Sequence, residues 1–169
     1  PMGLLMLASI LRDHGFKTTY IDSLDRFHPK APRTDPSVRY GRGPYYKTPI
    51  QKPAGCEDVA RTFSRYGIRE EWFRADLLSL PRPDLIFVGS LMTYWYPGVQ
   101  ETIRVIKETF PDVPVILGGI YATLCHDHAV ASSGADKVVT GHGERYLLDL
   151  VKDYTGVSVS PRFDPDDLE

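Results

Sequence analysis

Apolar positions in the second half of the chain fall into two alternating kinds of pattern. Three short stretches are built around uninterrupted apolar residues, Asp84–Gly89 (DLIFVG), Val113–Gly118 (VPVILG) and Asp136–Thr140 (DKVVT). Runs of this length and type predict strands buried on both faces. Between and after them the apolar residues recur at helical spacing. Pro97–Phe110 carries Val99, Ile103, Ile106 and Phe110 on one face, Asp127–Ser133 is a shorter helix, and Glu144–Tyr154 turns Leu147, Leu150 and Val151 inward. Strands alternating with amphipathic helices predict an α/β fold: an open, doubly wound, mainly parallel sheet of flavodoxin-like or Rossmann-like type.

The first half is less regular. Leu4, Leu7, Ala8 and Leu11 predict a helix over Pro1–Phe16, with Pro1 in its first turn and Gly15 as its stop. Lys17–Asp22 is rich in strand formers and is expected to be a short strand. In a flavodoxin-like order 2-1-3-4-5 a strand should precede that first helix. None is present in the sequence, so the chain reads as a fragment lacking its first strand, leaving a gap through which copies could associate. Leu24–Gly55 holds six prolines and Gly41–Gly43 and is expected to be irregular, with Phe27, Tyr40, Tyr45 and Tyr46 supplying surface to bury. Short helices are expected at Glu57–Tyr66 and at Arg69–Leu80, the second with Trp72, Phe73, Leu77 and Leu80 inward. The expected organisation is one domain over residues 1–155 with an insertion at about 24–80, then a tail or linker over 156–169.

Composition narrows the class. The chain has 169 residues, 25 % of them charged, and a formal net charge of −2. That balance points to neither a nucleic-acid nor a membrane partner. There is no leader pattern, and Cys56 and Cys125 read as reduced thiols of a cytoplasmic protein.

Ligands of open α/β sheets bind beyond the carboxyl ends of the strands. Candidate chemistry therefore lies in the loop after each strand: Ser90, Leu91 and Thr93, then Gly118, Gly119 and Tyr121, then Gly141, Gly143 and Glu144. Each glycine has two readings, a turn or room for a ligand. Glu144 would favour the start of the last helix. Cys125, His126 and His128 read as a polar helix start with exposed imidazoles, and no metal site is assigned. His14 and His28 read as isolated and solvated. Neither G-x-x-x-x-G-K-[ST] nor a strand-to-helix G-x-G-x-x-G occurs, which counts against nucleoside triphosphates and dinucleotides.

Three stretches carry a resemblance: GLLMLASILRDHGFKTTYID, PDLIFVGSLMTYWYPGVQETIRVIKETFPDVPVILGGIYATL and GADKVVTGHGE. Together they resemble the cobalamin-binding domain that precedes the radical-SAM domain in a family of bacterial enzymes. FSRYGI, residues 63–68, resembles part of an insertion typical of one subgroup. The resemblance implies that Ser90 and Thr93 lie near the cofactor's nucleotide tail, that Gly118 and Gly119 make room for it, and that Gly141, Gly143 and Glu144 form the last cofactor-side loop. Two motifs of the family are absent. The histidine of D-x-H-x-x-G would fall just before Pro1, and the C-x-x-x-C-x-x-C cluster motif does not occur. The implied function is a cobalamin-binding module of a radical-SAM enzyme. S-adenosylmethionine, the 4Fe-4S cluster and the radical-SAM partner domain would belong to the rest of the parent protein. The rival is a docking domain that keeps the fold without the ligand, its bulky Met92–Tyr96 run filling the place of a corrin. A flavodoxin-like FMN site is disfavoured because its phosphate loop would follow the missing strand.

Overall fold

The computed structural model describes residues 2–32 and 45–162. Pro1, the 33–44 stretch with Tyr40 and Gly41–Gly43, and the acidic 163–169 end lie outside the described residues. Two compact units are formed, one from Pro1–Tyr20 and Leu80–Glu169, the other from Ile21–Ser79.

The first unit holds helix α1, Met2–Asp13. The second holds strands β1, Lys47–Pro49, and β2, Ser64–Tyr66, and helix α2, Glu70–Ser79. The first unit then continues with β3 (Ile86–Ser90), a 3-10 turn at Thr93–Trp95, α3 (Tyr96–Thr109) and β4 (Val115–Gly119). After these come α4 (Ile120–Leu124), α5 (His126–Ser132), β5 (Lys137–Val138), a second 3-10 turn at Gly143–Arg145 and α6 (Leu147–Thr155).

β3, β4 and β5 form a parallel sheet in that order, in register from Ile86 opposite Val115 to Ser90 opposite Gly119. This is the expected α/β architecture. The strand alternation divides the core. Leu85 and Phe87 join Leu11, Leu147 and Val151 beneath α1 and α6. Val88 turns to the other face, where α3 packs on β3 and buries Val99, Ile103 and Ile106. Burial of each such side chain contributes roughly 1.5–3 kcal/mol. Pro97 sits in the first turn of α3, and Arg104 is paired with Glu101 and Glu108 on its exposed face. Gly156, left-handed at φ 74°, ends α6 and donates its N–H to the Lys152 carbonyl.

Beyond α6 the chain folds back on α1. The Arg162 N–H donates to Nε2 of His14, and the Arg162 guanidinium donates to the Asp13 carbonyl. His14 is buried rather than solvated, its Nδ1 bonding the Ile10 carbonyl.

Four sequence expectations change. Lys17–Asp22 forms no strand, because among the described residues no strand pairs with it, and strand preference without a partner builds no ladder. Glu57–Tyr66 is not a helix. Its last three residues instead pair antiparallel with Lys47–Pro49, a strand inside the stretch expected to be irregular. Gly67 fixes this arrangement: at φ 105° it donates to the Tyr46 carbonyl, and a Cβ there would collide with the Ser23 carbonyl oxygen. A separate helix, α4, precedes the one expected at Asp127–Ser133, the two divided at Cys125 by its φ of −128°. His28 is also buried: the Lys30 N–H donates to its Nδ1, so its Nε2–H donates to Asp76, and Trp72 stacks on the ring.

One carboxylate joins three elements of the first unit. Asp136 accepts from the Val115 N–H at 2.6 Å and from Lys107 of α3, while its own N–H donates to the Val115 carbonyl. Burial works against its charge, but Lys107 and the Val115 N–H outweigh that and hold the carboxyl below its usual range. With the folded value depressed, the stabilisation is fully present above the unfolded value, about 3.9, and is lost as pH falls through the folded one. Asp136→Asn should lower stability near neutral pH by roughly 1 kcal/mol, a charged hydrogen bond discounted for exposure. It should also weaken the acid dependence, which thermal melts between about pH 3 and pH 7 will read.

Candidate functional site

Parallel strands bring all their carboxyl ends to one edge, so the loops after β3, β4 and β5 share it. At the end of β3, Ser90 is buried and its hydroxyl donates to the Met92 carbonyl at 3.0 Å. That bond folds the loop and leaves Leu91 and Met92 exposed ahead of the Thr93–Trp95 turn. Thr93 is half-buried in that turn.

The two glycines ending β4 differ. Gly119 has φ 92° and ψ −170°, a conformation confined to glycine, and its Cβ would lie 2.6 Å from the Ser90 carbonyl oxygen. The close approach of β3 and β4 thus requires this glycine irrespective of any ligand. Gly118 has no such constraint: a Cβ there would meet only the Val139 oxygen, at 3.8 Å.

After β5, Gly141 takes φ 71°, and a Cβ there would meet nothing within 4 Å. Gly143 faces the Leu7 side chain of α1, and Gly89 faces Leu4, so the first helix rests on this edge through two glycines. Glu144 is buried, with Oε1 3.3 Å from Nδ1 of His142. It lies in the 3-10 turn ahead of α6 and meets that imidazole, which corrects its expected place in the first turn of the last helix.

Tyr121, the remaining candidate after β4, is buried. It is 1 % exposed, and its hydroxyl lies 2.8 Å from Nδ1 of His128. Burial first, then Cys125 and Tyr96, push its pKa up. Tyr96 stands edge-on to the same imidazole, so Tyr121, Tyr96 and His128 tie α4 and α5 to the start of α3. His126 turns to Asp127, and among the described residues no three His, Cys, Asp or Glu side chains converge as a metal-ligand set.

Thr123 was not among the sequence candidates. Its hydroxyl donates to the Gly119 carbonyl and accepts the Gly141 N–H at 3.1 Å, joining the loops after β4 and β5. The only sequence signal was a hydroxyl one turn beyond a glycine pair, a spacing at which serine and threonine commonly bond back to the main chain.

The glycine contrast is testable without any ligand. Gly119→Ala should destabilise the protein by more than about 2 kcal/mol, from backbone strain and the contact with Ser90, whereas Gly118→Ala should change stability by less than about 1 kcal/mol. Chemical denaturation of both variants measures the difference.

Sequence comparison gives the family. An anaerobic magnesium-protoporphyrin IX monomethyl ester cyclase of Rubrivivax gelatinosus is 28 % identical over 85 residues, covering 50 % of this chain and 15 % of the relative. A cyclase of the same name from Cereibacter sphaeroides is 32 % identical over 81 residues, covering 47 % of this chain and 13 % of the relative. A UPF0313 protein of Porphyromonas gingivalis is 35 % identical over 95 residues, covering 49 % and 13 %. The chain thus spans about a seventh of the length of the curated relatives it matches. No solved structure matches. No helix among the described residues is long and apolar enough to cross a membrane. Residues 67–151, from the end of β2 through most of α6 and half of the chain, match the B12 binding domain, and the chain belongs to that family.

Proposed function

We propose that the chain is a cobalamin-binding module that holds the corrin against the carboxyl ends of β3, β4 and β5. The observation that carries this is the open, glycine-backed edge of the sheet. Gly118 and Gly141 leave main chain uncovered there, and the exposed side chains of Leu91, Met92, Trp95 and Ile120 form an apolar rim. A large planar ligand with an apolar body and polar substituents needs that combination of close backbone approach and apolar cover, and the residues fit it.

Within this reading Gly118 and Gly141 admit the cofactor, Gly143 seats Leu7 of α1 beside it, Leu91 and Thr93 line its β3 side, and Glu144 with His142 offers polar groups on the β5 side. Ser90, Gly119, Tyr121 and Thr123 act one step back, by fixing the loops. Bound cobalamin would supply cobalt-centred chemistry such as methyl transfer, while the protein supplies binding and orientation. The partner that uses it would be a radical-SAM domain of the same parent protein, bringing S-adenosylmethionine and the 4Fe-4S cluster. This chain's two cysteines are too few to hold that cluster. The relatives named as cyclases support a parent enzyme working on a large organic substrate.

One observation favours a second reading, a docking domain without cofactor. Tyr94 is 69 % exposed beside Trp95 and Tyr96, a surface as suited to a protein neighbour as to a corrin. Titration with hydroxocobalamin, followed by gel filtration and visible absorbance, separates the two. Corrin should co-elute with the protein, and Gly118→Leu, which no backbone strain opposes, should weaken binding about tenfold or more while the protein stays folded. A folded protein that retains no corrin would establish the docking reading instead.

A further inference from the structure

The net charge of −2 conceals a strongly uneven distribution. Between Arg26 and Arg69 the sequence has ten Lys and Arg against three Asp and Glu, and seven of the ten are arginine. Phe27, Tyr40, Tyr45, Tyr46, Phe63 and Tyr66 are interleaved with these cations.

In the second unit the β1–β2 ribbon has two unlike faces. Tyr46, at the foot of β1, packs on Trp72, which stacks on His28, and Arg69 lies 5.3 and 5.4 Å from the Tyr46 and Trp72 ring centres. This stack anchors the ribbon. On the opposite face Lys47 stands directly across from Tyr66, both exposed. Nearby in sequence, Phe27 and Tyr45 are also exposed, with the Arg26 guanidinium 5.4 and 5.7 Å from their ring centres. Lys47 on this face and the exposed Arg61 pair with no carboxylate among the described residues, while Arg65, opposite Thr48, alternates to the anchored face.

We propose that this face binds single-stranded nucleic acid, with bases stacking on Tyr66 and Tyr45 and phosphates meeting Lys47 and its neighbouring cations. Aromatic rings alternating with cations supply both the sequence-tolerant and the electrostatic parts of such binding. Size favours it over an acidic protein. Three residues per strand give a platform roughly 10 Å long, room for two or three nucleotides, whereas a stable protein interface covers about 800 Å² on each side.

The test is fluorescence anisotropy with a labelled single-stranded oligouridylate of about ten nucleotides, at rising salt, on the whole protein. Binding should weaken with a log–log slope of roughly −0.7 for each phosphate engaged. Tyr66→Ala, at an exposed site, should weaken it at least about fivefold, and Tyr66→Trp should preserve it. Lys47→Glu should also weaken it, whereas Lys152→Glu on α6 should not. Absence of binding at low salt overturns the proposal. So does Tyr66→Ala binding as tightly as the unaltered protein, and so does poly-glutamate binding as tightly as the RNA, which would assign the face to an acidic protein.

Discussion

The first unit depends on the contact between two peptide backbones at the top of its sheet. Gly119 comes so close to Ser90 that no side chain can stand between them, and its dihedral angles are open to glycine alone. From this contact the parallel register runs back to Ile86 and Val115, and forward into the turn that begins α4. Register in a buried sheet decides which residues face which layer. The contact therefore also decides that Leu85 and Phe87 lie under α1 and α6, with Val88 on the opposite side.

The polar residues near the sheet edge mostly serve one another. Ser90 holds Met92, Thr123 holds Gly119 and Gly141, Glu144 meets His142, and Tyr121 meets His128. What remains open is main chain and apolar rim. An edge built in this way has its loops fixed by the protein's own bonds, which on the proposed reading would reduce the ordering cost of binding. Its selectivity would come from shape and contact area more than from charge.

Elements with a strong apolar period were legible from sequence. β3, α3, β4 and α6 lie within a few residues of where the spacing of Leu, Ile and Val placed them, because burial itself selects that spacing. Elements that depend on a distant partner were not. Nothing local in Ser64–Tyr66 announces its pairing with Lys47–Pro49, and Lys17–Asp22 has strand-forming residues but no strand beside it among the described residues. At the edge, the glycines were legible as glycines, but their separate reasons were not. Gly119 answers to Ser90 and Gly143 to Leu7, contacts between residues far apart in sequence. Tyr121 resembled a ligand contact because of its place after β4, whereas its burial depends on Tyr96 and His128.

The return of the chain from α6 to α1 has a mechanical meaning. Arg162 is bound to both Asp13 and His14, so a force on the residues beyond it is delivered to the carboxyl end of α1 before it reaches α6. α1 is a nearly rigid rod whose other half rests, through Leu4 and Leu7, on Gly89 and Gly143. With no side chain on either glycine, the helix packs directly against the main chain of the sheet edge at both points. The last described residues and the sheet edge are thus joined through one helix, some distance apart along it.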